Sequence, residues 1–259
     1  MLETTTAGAQ NRDMMRLVGS LLFWGFVFVS SIVLFPLAVL VWLVSMPFDH
    51  RRWAMHRFTS LWASLYTWLN PAWRVSIEGR ERLHEGIPTV LVANHLSLVD
   101  ILVLFRMQSH FKWVSKLENF RVPVIGWNMM LCGYIPLRRG DSASVRTMMR
   151  QCDETLASGS SIVMFPEGTR SSNGRLRRFM PGAFQIAARN EVPIQPIVIR
   201  GTSDALPKKG FILQGRHPIS ITILDPIPAE SFAHVEPEVL MDRVRAIFVD
   251  ELKEPTEVS

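Results

Sequence analysis

The sequence predicts an α/β protein: a mixed, largely parallel sheet flanked by helices and preceded by an N-terminal membrane-embedded helical segment. Three observations predict this class. A long uncharged run stands near the start of the 259-residue chain. Short apolar segments then alternate with helical ones, and several of them end abruptly in polar residues. Such alternation is typical of sheets that carry helices on their faces.

The uncharged run lies between Arg16 and Asp49 and contains 32 residues. A bilayer span needs about 20 apolar residues. A secretory signal would have a shorter apolar core and a small-residue cleavage site, whereas this run continues into SMPFDHRRW. We therefore expect an uncleaved membrane segment over residues 17–47, with a buried core helix as the alternative. Pro36 is compatible with a kinked span or with a re-entrant hairpin.

Residues 54–70 place apolar side chains, including Trp62 and Trp68, at helical spacing. This pattern predicts either a helix along the headgroup region of a membrane or an ordinary core-packing helix. Together with the uncharged run, it suggests a membrane-anchoring helical region over residues 1–72. A second domain then follows over residues 73–259.

The second domain alternates between predicted strands and predicted helices. The predicted strands are Trp73–Ile77, Thr89–Ala93, Phe111–Ser115, Tyr134–Leu137, Ser161–Phe165, Ile194–Ile199 and Ile219–Leu224. The predicted helices are Leu98–Met107, Val124–Leu131, Ser142–Ala157, Pro181–Arg189 and Pro237–Leu252.

The positive charge is concentrated in the middle of the chain. The net charge is +5, but residues 230–259 carry −5 and residues 1–48 sum to zero, so residues 49–229 carry +10. A basic domain next to a membrane segment indicates an anionic membrane surface or phosphate-bearing partners. No run of basic residues interleaves with aromatic ones, so nucleic acid is not an expected partner. The arginines after the uncharged run favour a cytoplasmic location for the domain.

The two cysteines, Cys132 and Cys152, are too few for a disulfide framework. No Cys/His spacing resembles a zinc site, and we expect no metal. Both residues are interpreted as core thiols in a reducing compartment.

The segment LVANHLSLVD, residues 91–100, contains the first candidate site. The carboxyl end of an apolar strand would place His95 where open α/β folds form their sites. A turn after His95 would bring Asp100 back to the imidazole. A carboxylate on one ring nitrogen leaves the other free to accept a proton, as in a general base. The alternative is a histidine that a neighbouring carboxylate merely satisfies. Ser97 is interpreted as a helix N-cap rather than a nucleophile.

A second apolar strand ends in FPEGTR, residues 165–170. Gly168 permits a tight turn whose N–H groups can face an anion, and Arg170 supplies a bidentate fork for phosphate. Three nearby arginines, Arg175, Arg177 and Arg178, strengthen the positive field. Glu167 is expected either to accept a substrate hydroxyl or to brace an arginine. The alternative is a plain turn with solvated charges.

Between these segments, Lys116 follows one predicted strand, and Arg138 and Arg139 follow the next. If the strands are neighbours, these arginines lie beside the other two strand ends. Alternation along a strand sends the two arginines to opposite faces, so only one of them can point into a site.

Taken together, these motifs resemble the 1-acylglycerol-3-phosphate acyltransferase (lysophospholipid acyltransferase) family. NHLSLVD is similar to its NHxxxxD signature, FPEGTR to its second hallmark, Gly133 to Arg139 to its arginine motif, and VPIQP, residues 192–196, to its fourth block. The resemblance covers roughly residues 75–205.

The resemblance implies that His95 and Asp100 form the catalytic pair of an O-acyltransferase. It links Arg139, Glu167, Gly168 and Arg170 to the phosphate-bearing acceptor, and we add Thr169 and Lys116 to the expected substrate-binding residues. Arg138 stands where the family often has an acid, so Arg138 and Arg139 both remain candidates. Met180-Pro181 replaces a stretch that often carries lysine, for which Arg177 or Arg178 can compensate.

The implied reaction transfers a fatty acyl group from a thioester to the free glycerol hydroxyl of a lysophospholipid, most simply 1-acylglycerol-3-phosphate to phosphatidic acid. No cofactor is expected. Acyl-CoA or an acyl-carrier-protein thioester would be the co-substrate, and acyl carrier protein a potential partner. The catalytic domain, residues 73–259, would be membrane-bound on the cytoplasmic side.

Three alternatives remain. The acceptor can be another lysolipid, such as lyso-ornithine lipid. A membrane-bound hydrolase would use His95, Asp100 and Glu167 on a metal, and a membrane-anchored phospholipid-binding protein would need no chemistry at His95.

Overall fold

A seven-stranded sheet forms the centre of the structure, a computed structural model that describes the backbone of residues 2–253 and the side chains of residues 10–253 other than residue 12. The strands are β1 (Trp73–Glu78), β2 (Val90–Ala93), β3 (Phe111–Lys116), β4 (Ile135–Leu137), β5 (Ser161–Met164), β6 (Ile194–Arg200) and β7 (His217–Ile223). Their order is β1-β7-β6-β2-β5-β3-β4. Every pair is parallel except β6 and β7. The predicted mixed, largely parallel sheet is confirmed.

Eight α-helices accompany the sheet in the described residues. They are α1 (Leu2–Ser45), α2 (Trp53–Trp68), α3 (Val99–Phe105), α4 (Ile125–Leu131), α5 (Ser142–Ala157), α6 (Gly182–Asn190), α7 (Thr202–Ala205) and α8 (Pro237–Leu252). The predicted strands and helices of the second domain are all present, with ends displaced by at most two residues. Helix α7 was not predicted, because four residues are too short to show helical periodicity. Residues 254–259 of the predicted second domain lie outside the described residues.

Two apolar cores cover the two faces of the sheet. Successive strand residues point to opposite faces, so Leu91 and Ala93 join one core while Val90 and Val92 join the other. The first core packs under α1–α4 and α7. The second packs under α5, α6 and α8. The central strands β2, β5 and β6 are therefore covered by helices on both faces.

Helix α1 is a single continuous helix that includes Pro36. The re-entrant hairpin is therefore wrong. Within α1, Asp13–Ser45 is long and apolar enough to cross a membrane by length and composition. Only 11% of its most apolar window is buried, which rules out the alternative of a core helix.

One side of α1 nevertheless packs on the rest of the chain. The Ser31 hydroxyl lies 3.2 Å from the Tyr66 hydroxyl of α2, and the Trp24 indole N–H donates to the carbonyl of Phe211 at 2.7 Å. The Ser20 hydroxyl accepts a hydrogen bond from the backbone N–H of Leu213 at 2.8 Å. The candidate membrane helix is thus attached along its length and leaves its other sides exposed.

Helix α2 combines the two roles considered for it. Trp62 and Tyr66 are buried in the first core. Leu61, Trp68 and Leu69 are exposed. One face is therefore a core-packing face, and the exposed apolar side chains form a second face beside α1.

Candidate active site

Asn94 directly follows strand β2, and its side chain hydrogen-bonds the strand end to β6. The Asn94 amide donates to the carbonyl of Ile199 at 2.8 Å and accepts from the Ile199 N–H at 2.7 Å. This buried amide replaces the strand ladder at the point where the backbone turns away. It holds the next residue, His95, at the carboxyl edge of the sheet.

The side chains of His95 and Asp100 form the predicted pair. His95 Nδ1 and Asp100 Oδ2 are 2.8 Å apart, and Asp100 is fully buried. The same Oδ2 accepts the backbone N–H groups of Leu96 at 2.6 Å and Ser97 at 2.8 Å. The turn between strand and helix therefore wraps around the carboxylate and bends it back to the imidazole.

Ser97 has a local structural role. Its hydroxyl donates to the carbonyl of Leu206 at 2.6 Å and accepts from the N–H of Val99, the first residue of α3, at 3.2 Å. The assigned N-cap position is Leu98, one residue later than predicted. The hydroxyl serves the start of the helix and makes no hydrogen bond to His95 within the described residues.

The second oxygen of Asp100 has a partner that was not predicted. The hydroxyl of Thr202, at the start of α7, donates to Asp100 Oδ1 at 2.5 Å. Both side chains are fully buried. The carboxylate is thus held from two directions and cannot rotate without breaking several hydrogen bonds.

The imidazole of His95 stacks on the ring of Phe165, with centroids 3.9 Å apart and planes within 9° of parallel. Asp100 occupies Nδ1, and Nε2 has no hydrogen-bond partner in the described part of the chain. The side chain is 12% exposed, so the free nitrogen lies at the surface of a largely enclosed site. This arrangement fixes the ring plane and leaves one nitrogen to accept a proton.

Glu167 binds backbone rather than side chains. Its Oε1 accepts the N–H of His95 at 2.7 Å, and its Oε2 accepts the N–H of Arg177 at 3.0 Å. Burial raises the pKa of the Glu167 carboxyl to about 7, against the two N–H bonds, which lower it. Glu167 therefore holds the backbones of His95 and Arg177 and forms no ion pair with an arginine side chain among the described residues.

The turn after Glu167 has the predicted geometry. Gly168 adopts a φ of +68°, and its N–H donates to the carbonyl of Phe165 at 3.0 Å. Arg170 follows and forms a reciprocal pair with Lys208, whose ammonium donates to the Arg170 carbonyl at 2.7 Å. The Arg170 guanidinium donates to the carbonyl of Lys208 at 3.3 Å. Lys208 lies in the loop after α7, and no sequence motif pointed to it.

The predicted residues on β3 and β4 lie farther away. β4 is the edge strand and neighbours only β3, so the condition under which Arg138 and Arg139 would lie beside the ends of β2 and β5 is not met. Three strand spacings separate β4 from β2, which is about 14 Å. Arg138 and Arg139 are exposed, and partial burial lowers the pKa of Arg139. Lys116 is exposed and pairs with Glu118 at 3.5 Å.

Acidic and thiol groups do not assemble elsewhere in the described residues. No group of three or more His, Cys, Asp or Glu side chains there is arranged to hold a metal ion. Both cysteines are buried and unpaired, as predicted.

Comparison with protein families finds one matching description, "Acyltransferase", over residues 74–200. The chain is 36% identical over 208 residues to the 1-acyl-sn-glycerol-3-phosphate acyltransferase of Chlamydomonas reinhardtii, covering 80% of this chain and 62% of that protein. It is 39% identical over 184 residues to a chloroplastic 1-acyl-sn-glycerol-3-phosphate acyltransferase of Arabidopsis thaliana, covering 70% and 51%. The chain thus spans less than two thirds of the length of these two relatives.

The fold also matches a solved structure. The crystal structure of the 1-acyl-sn-glycerophosphate (LPA) acyltransferase PlsC from Thermotoga maritima superposes with a TM-score of 0.76 at 24% identity. The match covers 94% of this chain and 98% of that one. The two proteins have the same fold, including its N-terminal helical part.

Proposed function

This chain belongs to the acyltransferase family, and on that premise we propose that it transfers a fatty acyl group from an acyl thioester to the free glycerol hydroxyl of a lysophospholipid. The proposed acceptor is 1-acylglycerol-3-phosphate and the product phosphatidic acid. The observation that carries the proposal is the His95–Asp100 pair, 2.8 Å apart, with Nε2 of His95 free at the carboxyl edge of the sheet.

His95 acts as the general base. Nε2 takes the proton from the acceptor hydroxyl as its oxygen attacks the thioester carbonyl, and the thiolate leaves as the carbon–sulfur bond breaks. Asp100 keeps the other nitrogen protonated and stabilises the imidazolium that forms. The imidazolium then returns its proton to the departing sulfur. The acceptor hydroxyl is itself the nucleophile, so no acyl-enzyme is required.

The oxyanion of the tetrahedral intermediate needs hydrogen-bond donors. The N–H groups of His95, Leu96 and Ser97 are already bound to carboxylates. The N–H of Gly168 is bound within its turn. The N–H groups of Thr169 and Arg170, which have no hydrogen-bond partner in the described residues, remain as donors on this turn, and we assign them to the oxyanion.

Arg170 is the proposed anchor for the acceptor phosphate, on the turn that Gly168 permits. Among the described residues its guanidinium makes one long hydrogen bond, 3.3 Å, to a backbone carbonyl, and so retains donors for a phosphate. Lys208 adds a second positive charge. Arg139 and Lys116, at the more distant strand ends, contribute a positive field rather than a first contact. Glu167 supports this turn instead of contacting the substrate.

Residues 1–72 anchor the protein, and residues 73–259 form the catalytic domain. The exposed apolar sides of α1 and the exposed face of α2 support a position in or on the bilayer, where both lipid chains reside. The basic charge of residues 49–229 supports an anionic surface as partner. We place the catalytic domain on the cytoplasmic side, where acyl-CoA or acyl carrier protein supplies the thioester.

The proposal is tested with the purified full-length protein, an acyl-CoA or acyl-carrier-protein thioester, and a panel of lysolipids. Phosphatidic acid should form from 1-acylglycerol-3-phosphate, and His95→Ala should lower the rate by about 10²–10⁴ without loss of folding. Exclusive use of another acceptor, such as lyso-ornithine lipid, would change the assigned substrate. Release of fatty acid or phosphate without a thioester donor would contradict acyl transfer.

A further inference from the structure

A basic cleft lies next to the candidate active site, on the other side of the loop that follows Arg170. Its volume is about 620 Å³, within the range of small-molecule sites. It lies between the loop of residues 172–181 and the N-terminal half of α8. Its charged lining residues are Arg175, Arg177, Arg178, Arg245, Glu167 and Glu238. We call it the arginine cleft.

The four arginines come from two separate elements of the fold. Arg245 is on α8, and the other three are on the loop. None of the ion pairs within the described residues uses any of these four guanidinium groups. One of the two acids, Glu167, already binds two backbone N–H groups. The cleft therefore has four arginines against two acids, and this surplus of positive charge suits a ligand with several phosphate charges.

The arginine cleft is directly coupled to the catalytic histidine. The carboxylate of Glu167 joins the N–H of Arg177, in the wall of the cleft, to the N–H of His95. The N–H of Ser171 donates to the His95 carbonyl at 2.8 Å. A ligand in the cleft is thus separated from the reacting atoms by a single loop.

The cleft and the imidazole nevertheless belong to opposite layers. Phe165, which stacks on His95, packs on the core under α1–α4. Phe179 and Met241, which line the cleft, belong to the core under α5, α6 and α8. The cleft therefore lies on the opposite face of the sheet from the candidate membrane helix, which suits a water-soluble ligand group.

Resting on the proposed function, we propose that the arginine cleft binds the phosphorylated nucleotide of an acyl-CoA donor. The acceptor phosphate is only a few bonds from its reacting hydroxyl and must stay on the His95 side, near Arg170. The nucleotide is joined to the thioester by the long pantetheine arm, which can pass over the loop. A concave cleft also suits a small molecule better than the surface of a carrier protein.

Binding of adenosine 3′,5′-bisphosphate to the full-length protein tests the inference without any acyl transfer. Titration calorimetry should detect binding that weakens with salt. Arg245→Ala and, separately, Arg178→Gln should each weaken it about tenfold or more. Arg243→Ala is the matched control, because Arg243 is on the same helix, is exposed and does not line the cleft. It should bind the probe like the unaltered protein.

Steady-state kinetics then show which substrate supplies the phosphate groups that bind in the arginine cleft. Arg245→Ala and Arg178→Gln should raise KM for acyl-CoA and leave KM for the lysolipid unchanged. No binding of the probe, or binding that Arg245→Ala and Arg178→Gln do not alter, would overturn the assignment. A rise in the lysolipid KM alone would assign the cleft to the acceptor, and an effect on acyl-carrier-protein turnover alone would assign it to a protein partner. If the protein transfers no acyl group, the calorimetry still decides whether the cleft binds the nucleotide.

Discussion

The hydroxyl of Thr202 donates a 2.5 Å hydrogen bond to Oδ1 of Asp100, across a sequence separation of 102 residues. This contact orients the carboxylate that in turn orients His95. In the described part of the chain the Thr202 hydroxyl makes no hydrogen bond to His95, so we class Thr202 as a positioning residue. Its effect on the reaction must pass through Asp100.

Replacing Thr202 by valine keeps the shape of the side chain and leaves Asp100 Oδ1 without this partner. A hydrogen bond to a charged group contributes about 1.5–3 kcal/mol, so we expect kcat to fall by about 10- to 100-fold with KM unchanged. Thr202→Ser should restore most of the rate, because it keeps the hydroxyl. Thr155→Val, which removes a hydroxyl on α5, is the control. A similar loss in Thr202→Ser and Thr202→Val would contradict the hydrogen-bond role.

The buried carboxyl of Glu167 should make stability depend on pH. Its pKa is about 7 in the folded protein because of burial, against an ordinary value of 4.5. Between these values the folded state binds more protons than the unfolded one, so the contribution of Glu167 to stability is complete below about pH 4.5 and is lost as pH rises through 7. The free energy of unfolding falls by at most about 3 kcal/mol through this effect.

Glu167→Gln cannot ionise and should not show this loss. Melting temperatures of both proteins, measured from pH 5 to pH 8, should therefore diverge in favour of the variant as pH rises, on top of a constant cost for the lost acceptor oxygen. Glu154→Gln, at an exposed position on α5, is the control. Parallel curves for Glu167→Gln and the unaltered protein would show that the carboxyl stays ionised throughout.

The position of β4 sets the expected size of the Arg139 effect. Arg139 is exposed and lies at the end of a strand about 14 Å from β2. Screened charges at such distances interact weakly, so Arg139→Ala should raise the acceptor KM by no more than about tenfold. Arg170→Ala should raise it further, and Arg138→Ala should change it least. Steady-state kinetics with varied 1-acylglycerol-3-phosphate give this ranking. A larger effect for Arg139 than for Arg170 would place the phosphate near β4.

The outer side of α1 should govern membrane association. Leu22, Phe28 and Val33 are each more than 60% exposed, and burying one such side chain contributes about 1.5–3 kcal/mol. Replacing all three by asparagine should abolish flotation of the full-length protein with anionic vesicles at high salt, where charge attraction is screened. Val239→Asn, an equally exposed apolar position on α8, should float normally. Normal flotation of the triple variant would remove α1 as the anchor.

Local sequence signals were enough to predict most of the secondary structure and the contact between His95 and Asp100. The strands and most of the helices are marked by apolar periodicity and by turn residues, and these signals act within a few residues. The His95–Asp100 pair is equally local, because one turn between β2 and α3 brings the two side chains together. Gly168 likewise encodes its own turn through a positive φ.

Only the tertiary structure decided which distant groups complete the site. The order of strands places β5 and β6 beside β2, which brings Glu167 to the His95 N–H and Thr202 to Asp100. The same order places β4 at the edge and keeps Arg139 away. Strand order depends on how whole faces of helices and sheet pack together. The packing free energy is summed over the entire chain, so no short motif can encode it. The motifs therefore predicted the His95–Asp100 contact, whereas packing selected the residues that hold it in place.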